Sequence, residues 1–305
     1  MIGLHPVSPA VRDALLAAGL DPAAVADLVA RALAEDLGAG DDVTTRATVP
    51  SGQRAVADFV SRAVGTTAGI HVALAAMDIV CGPDCRTEAL VSDGSLVGPG
   101  DVLARVEGPA AGVLTAERTA LNLLCHLSGV ATATARWADA LVGTGARVRD
   151  TRKTTPGLRA LEKYAVRCGG GVNHRMGLHD AALVKDNHIE AAGGVAEAFA
   201  RVRAGAPGVP VEIEVDDLDQ LREALAAGAD VVLLDNMSPA LMREAVAVTR
   251  EHRAAGGGDT VLEASGGLTL ADAAEVGATG VHFVAVGAIT HSAPVLDVGL
   301  DFRDA

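Results

Sequence analysis

Lysine is scarce in this sequence of 305 residues: of its 25 basic residues, 22 are arginine and only three are lysine. Lys153, Lys163 and Lys185 all fall within one window of 33 residues. Arginine carries a flat guanidinium fork, whereas lysine carries a compact ammonium whose pKa moves readily. The clustering is therefore either chance among three residues or the mark of a segment that uses lysine for its chemistry.

Positive charge is also scarce overall, because the formal net charge is -14 at pH 7. Nucleic acids and anionic membranes both require basic surface, so we expect neither as a partner. The window from Arg149 to His188 is the exception, with eight basic and four acidic residues, a net charge of +4. Any anionic ligand is therefore predicted to bind within this window.

Long hydrophobic runs and paired cysteine motifs are missing as well. No apolar run approaches the ~18 residues of a membrane span, and the first 20 residues lack the basic start and apolar core of a signal peptide. These absences predict a cytoplasmic location. The four cysteines show no C-x-x-C spacing, which favours buried free thiols over a metal centre.

The first third of the chain has the pattern of a small α/β domain. Apolar residues at helical spacing predict a helix over residues 22–37 that ends at Gly38. Alternating patterns predict strands within residues 55–61, 96–108 and 110–115. A further helix is expected over residues 115–129, with its first residue as the N-cap and its last as the stop signal.

Beyond this helix, strand-like runs alternate with helical segments. The six runs are ARVRDT, AALVKD, PVEIEV, ADVVLLD, TVLEAS and GVHFVAVG. Helix starts are indicated by Asp217 and by Ser238 with Pro239. Strands that alternate with helices form parallel sheets, and six units are too few for a complete eightfold barrel.

Each of the six runs ends in polar residues or glycine, as expected at the carboxyl ends of barrel strands, where active sites lie. Cations follow the first two runs, namely Arg152, Lys153 and Lys185, with His174 and Arg175 in the loop between them. Glu214 and Asp235 end the middle runs, and glycines end the last two. The cations suit a ligand with several carboxylates or phosphates, and the glycines suit a phosphate. The carboxylates suit Mg²⁺, sugar hydroxyls or a developing positive carbon.

The sequence around these strand ends resembles the quinolinate phosphoribosyltransferase family. The resemblance rests on DTRKTTPGLRALEKYAVRCGGGVNHRMGLHDAALVKDNH, EIEV, LLDN, LEASGGL and VAVGAITHSAPVLD. It implies an N-terminal α/β sandwich domain, residues 1–117 with residues 290–305, and an incomplete TIM-like α/β barrel, residues 118–289. It also implies a homodimer that converts quinolinate and phosphoribosyl pyrophosphate to nicotinate mononucleotide, CO₂ and pyrophosphate, with Mg²⁺ as cofactor.

The resemblance further implies roles for individual residues. The positions that match the quinolinate site are Arg118, Thr151, Arg152, His174, Arg175 and Lys185, and Arg118 is expected to reach the site of the neighbouring subunit. The positions that match the phosphoribosyl pyrophosphate site are Lys153, Glu214, Asp235, Ser265, Gly266, Gly267, Gly287 and His291. Lys153, Glu214 and Asp235 are the expected catalytic residues, and the two carboxylates are expected to bind Mg²⁺ directly or indirectly.

Three other functions are compatible with the same strand ends. A barrel aldolase could use Lys185 as a Schiff-base nucleophile, although this leaves the surrounding arginines unexplained. A non-catalytic sensor could bind an anion in the same cleft. A related phosphoribosyltransferase could act on another pyridine or azole acid. Lys163, in a helical stretch, is expected to have a structural or indirect role.

Overall fold

The computed structural model describes residues 4–303, which divide into two compact units. Unit 1 comprises residues 4–133, 160–170 and 292–303, and unit 2 comprises residues 134–159 and 171–291. The helices are α1 (Pro9–Ala17), α2 (Pro22–Leu37), α3 (Val43–Thr48), α4 (Ile70–Cys81), α5 (Ala110–Ala140), α6 (Arg159–Cys168), α7 (Asp186–Ala192), α8 (Val195–Gly205), α9 (Leu218–Ala226), α10 (Pro239–Ala254), α11 (Ala273–Gly277) and α12 (Ala288–His291). The strands are β1 (Arg54–Ser61), β2 (Gly65–Thr66), β3 (Arg86–Ala89), β4 (Leu96–Val97), β5 (Val102–Pro109), β6 (Arg147–Arg149), β7 (Ala182–Val184), β8 (Val211–Val215), β9 (Val231–Asp235), β10 (Val261–Ser265), β11 (Phe283–Ala285) and β12 (Val298–Phe302).

Unit 1 is an α/β sandwich. Its antiparallel sheet has the strand order β12-β1-β5-β3, so the end of the chain pairs with its first strand. Helix α4 is buried along almost its whole length against this sheet, and α1 and α2 pack on α4. Helix α2 has the predicted bounds, because Asp21 accepts a hydrogen bond from the Ala23 N–H and Gly38 ends the helix with a φ of 58°.

Helix α5 differs from the prediction at both ends. Residues 110–115, expected to form a strand, are its first turns, and Thr115 lies inside the helix with its hydroxyl donating to the Ala111 carbonyl. Gly129 does not end the helix; it brings the helix against the backbone of residues 294–295. A glycine that permits close backbone approach thus has the same sequence signal as a C-cap. Neither α5 nor any other described helix is long and apolar enough to cross a membrane.

Unit 2 is an incomplete TIM-like barrel. Its six parallel strands have the order β6-β11-β10-β9-β8-β7, and within residues 4–303 no ladder pairs β6 with β7, so the barrel is open between them. All six predicted strands are present. The predicted caps are also confirmed, since Asp217 accepts hydrogen bonds at the start of α9 and Ser238 at the start of α10. This topology brings the six carboxyl ends to one edge of the sheet.

The boundary predicted at residues 117 and 118 falls within α5. The clustering of contacts divides the chain between residues 133 and 134, and it places residues 160–170, which include most of α6, in unit 1. The predicted domain limits, residues 1–117 with 290–305 and residues 118–289, stay a prediction.

Candidate active site

A cavity of about 540 Å³ opens at the carboxyl ends of the strands of unit 2. Eleven of the residues predicted for substrate binding line it: Thr151, Arg152, Lys153, His174, Arg175, Lys185, Glu214, Asp235, Ser265, Gly266 and Gly267. Leu183, Leu233, Asn236, Glu263 and Ala285 complete the lining. The predicted convergence of the strand ends is therefore observed.

Two arginines of the cavity are held in partly desolvated positions. The Arg152 Nε is buried and has no hydrogen-bond partner among the described residues. Arg175 donates from Nη1 to the Ala181 carbonyl at 2.9 Å. Burial, and then the neighbouring charge of Arg152, lower the pKa of the Arg175 guanidinium below its ordinary value. Both effects would be relieved by an anion that pairs with the two guanidinium groups.

Lys185 and Glu214 form an ion pair across the ends of neighbouring strands β7 and β8. The lysine side chain is 47% exposed and the glutamate side chain 11% exposed, so the ammonium faces the cavity from the rim and the carboxylate lies deeper. The pair joins a residue expected to bind quinolinate to one expected to bind the phosphoribosyl donor. An ammonium committed to a carboxylate is also a poor Schiff-base nucleophile, which weighs against the aldolase interpretation.

Asp235 and Ser265 are partners in the register of β9 and β10, and a tight glycine turn follows Ser265. Gly266 and Gly267 have φ angles of 97° and 59°, which side chains rarely adopt. A Cβ atom at residue 266 would also approach the Asn236 Cγ to 2.6 Å. The turn therefore requires glycine and presents a backbone surface to the cavity, as expected of a loop that seats a phosphate.

The remaining predicted residues lie outside the lining of the cavity. Gly287 and His291 adjoin it, because a Cβ atom at residue 287 would lie 2.7 Å from the Lys153 Cδ and 3.4 Å from the His291 ring. Arg118 belongs to unit 1, and its side chain is 64% exposed. Lys163 is fully buried in α6 of unit 1. Two of the three lysines therefore line the cavity, and the third is buried outside it.

A buried network of charged residues adjoins the cavity, and it is not among the features predicted from the sequence. Glu263 is fully buried, and one of its oxygens lies 2.6 Å from the Arg149 Nη1. Burial and the nearby charge of Glu212 raise the pKa of Glu263 to about 7, against the opposing effects of Arg149 and His174. The available signal was a glutamate inside each of two strongly apolar strands, VEIEV and VLEAS.

His174 is held between this network and the cavity. Its Nδ1 accepts a hydrogen bond from the Arg175 backbone N–H at 2.7 Å, and its Nε2 lies 2.7 Å from Glu212. The Asp150 carboxylate accepts from the His174 backbone N–H at 2.8 Å. The ligand atoms of His174, Glu212 and Glu263 lie within 4.8 Å of one another. Arg149 pairs with one oxygen of Glu263, and His174 with one oxygen of Glu212. The Glu212 Oε1 and the Glu263 Oε1 are buried without a hydrogen-bond partner among the described residues.

The fold and cavity define an open α/β-barrel protein whose site presents cations, carboxylates and a phosphate-type glycine turn side by side. Residues 42–128 match the family model for the N-terminal domain of quinolinate phosphoribosyl transferase, and residues 130–301 match the model for its C-terminal domain. The chain belongs to the quinolinate phosphoribosyltransferase family.

Known proteins of similar sequence cover nearly the whole chain. The chain is 52% identical over 279 residues to the nicotinate-nucleotide pyrophosphorylase [carboxylating] of Mycobacterium leprae, which covers 91% of this chain and 97% of that protein. It is 40% identical over 270 residues to a probable enzyme of the same name from Bacillus subtilis, with 88% of this chain and 89% of that protein covered.

Solved structures agree with this assignment. The nicotinate-nucleotide pyrophosphorylase of Francisella tularensis superposes with a TM-score of 0.85 at 36% identity, covering 92% of this chain and 96% of that one. NadC from Streptococcus pyogenes gives a TM-score of 0.86 at 37% identity, covering 93% and 99%. The fold of this chain is thus shared with enzymes that carry this name.

Proposed function

We propose that this chain transfers the phosphoribosyl group of phosphoribosyl pyrophosphate to quinolinate and releases nicotinate mononucleotide, pyrophosphate and CO₂, a step of de novo NAD biosynthesis. The observation that carries the proposal is the order of groups around one cavity: cations, then carboxylates, then a glycine turn. A substrate with two carboxylates and a donor with phosphates at both ends require these three environments together.

Quinolinate is assigned to the cationic part of the cavity. Arg152 and Arg175 have the fork geometry that pairs with planar carboxylates, and Lys185 adds a point charge. Thr151 and His174 line the same part of the wall. The unpartnered Arg152 Nε supports this assignment, since a buried donor without an acceptor is costly unless a ligand supplies one.

Phosphoribosyl pyrophosphate is assigned to the remaining lining. Its 5′-phosphate would bind at Ser265, Gly266 and Gly267, with Gly287 and His291 adjoining, and its pyrophosphate would bind Lys153. Glu214 and Asp235 fit a divalent cation, because hard oxygen ligands are what Mg²⁺ prefers and both carboxylates line the cavity. Bound there, Mg²⁺ would neutralise pyrophosphate charge.

The reaction begins with the loss of pyrophosphate through an oxocarbenium-like state. Glu214 and Asp235 stabilise the positive ribose carbon electrostatically, and Lys153 stabilises the departing charge. The pyridine nitrogen of quinolinate then attacks that carbon. The resulting quaternary nitrogen is itself an electron sink for loss of the 2-carboxylate, so the chain needs no Schiff base or further cofactor for this step.

The proposal includes a homodimer in which Arg118 reaches the quinolinate site of the partner subunit. A cation whose side chain is 64% exposed in unit 1 is available for such a contact. The cytoplasmic location and the absence of nucleic-acid and membrane partners stay predictions from composition.

Mass spectrometry of the products tests the reaction. Incubation with quinolinate, phosphoribosyl pyrophosphate and Mg²⁺ should give nicotinate mononucleotide, and quinolinate labelled with ¹³C in its 2-carboxylate should release labelled CO₂. Nicotinate in place of quinolinate should give little product, because it lacks the second carboxylate. Equal turnover of both acids would contradict the assignment of quinolinate.

A further inference from the structure

We propose that Asn236 is a positioning residue that holds Asp235 and the glycine turn of residues 265–267 in one fixed arrangement for the phosphoribosyl donor. This inference rests on the proposed function, because it takes the donor to bind both elements. It assigns a role to a cavity residue for which the sequence suggested none.

The backbone of Asn236 is the first observation. Its φ of 50° lies in the left-handed region, and within residues 4–303 it is the one residue other than glycine with a positive φ. Glycine is the usual residue for this conformation, and asparagine is tolerated at a small cost. Unlike glycine, asparagine places an amide side chain at this position, and the contacts of that amide are the next observation.

The side chain of Asn236 contacts the proposed donor carboxylate. The amide nitrogen donates to the Asp235 Oδ2 at 2.7 Å. Only the amide nitrogen can donate to a carboxylate, so this contact fixes the orientation of the amide group. It also commits one oxygen of Asp235 and leaves the other free to face the ribose or its metal.

The same residue is tied to the glycine turn. The Asn236 backbone N–H donates to the Ser265 carbonyl at 3.0 Å. Its side chain fills the space that a Cβ atom of residue 266 would need. Asn236 thus lies between the carboxylate at the end of β9 and the turn at the end of β10, and sets their separation. A donor that spans both elements depends on that separation.

Two substitutions distinguish the contribution of the Asn236 amide from that of the left-handed backbone conformation. Asn236→Gly keeps the left-handed turn without strain and removes the amide, and Asn236→Asp keeps the size of the side chain but replaces the donor with an acceptor. Both variants should retain the wild-type Tm within a few degrees. Each should raise the Kd for phosphoribosyl pyrophosphate with Mg²⁺ roughly tenfold, while the Kd for quinolinate alone changes less than about twofold.

Isothermal titration calorimetry measures both constants without turnover. If either Asn236→Gly or Asn236→Asp bound phosphoribosyl pyrophosphate as tightly as wild type, the proposal would be wrong, because the amide would then be dispensable. An equal loss of affinity for both substrates would also overturn it, since it would indicate a general structural defect. If the wild-type protein itself binds no phosphoribosyl pyrophosphate, the proposed function fails instead, so the two failures are distinguishable.

Double substitution tests whether Asn236 acts through Asp235. In an Asp235→Ala background the effect of Asn236→Gly on donor affinity should shrink to about threefold or less, because the carboxylate that the amide orients is gone. An undiminished tenfold effect would show that Asn236 acts independently of Asp235 and would contradict the proposed route.

Discussion

Lys153 and Lys185 carry the same charge but follow strands at opposite edges of the open sheet, β6 and β7. We expect Lys153→Ala to raise the KM for phosphoribosyl pyrophosphate and Lys185→Ala to raise the KM for quinolinate. Each effect should be about 1.5 to 3 kcal/mol in transition-state binding, the usual range for a hydrogen bond to a charged group. Steady-state kinetics with each substrate varied in turn measures the separation.

Arg222→Ala is the matched control, since Arg222 is an exposed cation of unit 2 that pairs with Asp219 on the same helix. It should leave both KM values unchanged. If Lys153→Ala and Lys185→Ala changed the same KM to the same extent, the assignment of the two lysines to different substrates would be wrong.

The carboxylates of Glu214 and Asp235 should matter more for turnover than for quinolinate binding, because both are assigned to the donor and the cationic ribose. Glu214→Gln and Asp235→Asn keep the shape of each side chain and remove its charge. We expect kcat to fall by at least tenfold in each variant at saturating Mg²⁺, with the Kd for quinolinate within a fewfold of wild type. Unchanged kcat in both variants would identify these residues as structural.

Glu263 makes the stability of the protein depend on pH. Its pKa is raised from 4.5 to about 7 in the folded state, first by burial and then by Glu212. Between these values the unfolded chain ionises while the folded chain keeps the proton, so the free energy of unfolding falls as pH rises from 4.5 to 7 and levels off above 7. A shift of this size corresponds to about 3 kcal/mol.

Glu263→Gln removes this titration. Over the same pH range, the free energy of unfolding of the variant should therefore rise relative to wild type by about 3 kcal/mol. Urea unfolding at pH 5, 6, 7 and 8 measures the difference, with the exposed Glu251→Gln as the control. Parallel pH profiles for wild type and Glu263→Gln would show that Glu263 is ionised throughout.

At the scale of elements, two glycines that lie within helices differ in what surrounds them. A Cβ atom at Gly129, inside α5, would lie 2.9 Å from the Val295 Cα, whereas at Gly205, in the last turn of α8, it would meet nothing within 4 Å. Gly129→Ala should destabilise the protein by about 2 kcal/mol through overpacking, and Gly205→Ala should stabilise it by about 0.5 kcal/mol. Thermal and urea unfolding of the pair checks the contrast, and equal effects would show that helix propensity alone governs both sites.

Some elements of the fold are predictable from local sequence patterns and others are not. Helix α2 and the barrel strands were predictable because their patterns are local: an N-cap, a period and a stop for the helix, and apolar runs for the strands. The ends of α5 were not predictable, because the role of Gly129 is set by residues 294–295, more than 160 positions away. Local signals cannot encode a contact at that separation.

The cavity was predictable for a related reason. Parallel strands bring their carboxyl ends together, so residues such as Lys153, Glu214 and Ser265 could be grouped without knowledge of their contacts. The same rule groups Asn236 with Asp235 at the end of β9, but it does not reveal what the Asn236 side chain does. The roles of Asn236 and Glu263 depend on a hydrogen bond, a left-handed backbone and burial, none of which has a spacing in the sequence.

At the scale of the whole molecule, the proposed dimer leads to a prediction that depends on residues from two chains. If Arg118 serves the partner's quinolinate site, Arg118→Ala and Lys185→Ala should each be nearly inactive alone. In a mixed dimer with two-fold symmetry, one site then carries both defects and the other carries neither. With random exchange half the dimers are mixed, so activity should return to roughly a quarter of the wild-type value.

Subunit exchange has to be demonstrated separately, for example by native mass spectrometry of one isotopically labelled variant mixed with the other. Mixing Lys153→Ala with Lys185→Ala is the matched control: both residues line the same cavity of unit 2, so each site of the mixed dimer keeps one defect and no activity should return. If Arg118 instead serves the cavity of its own chain, its mixture with Lys185→Ala should behave like this control. Absence of recovery after proven exchange would therefore assign Arg118 to its own subunit, and recovery near a quarter would require a site built from two chains.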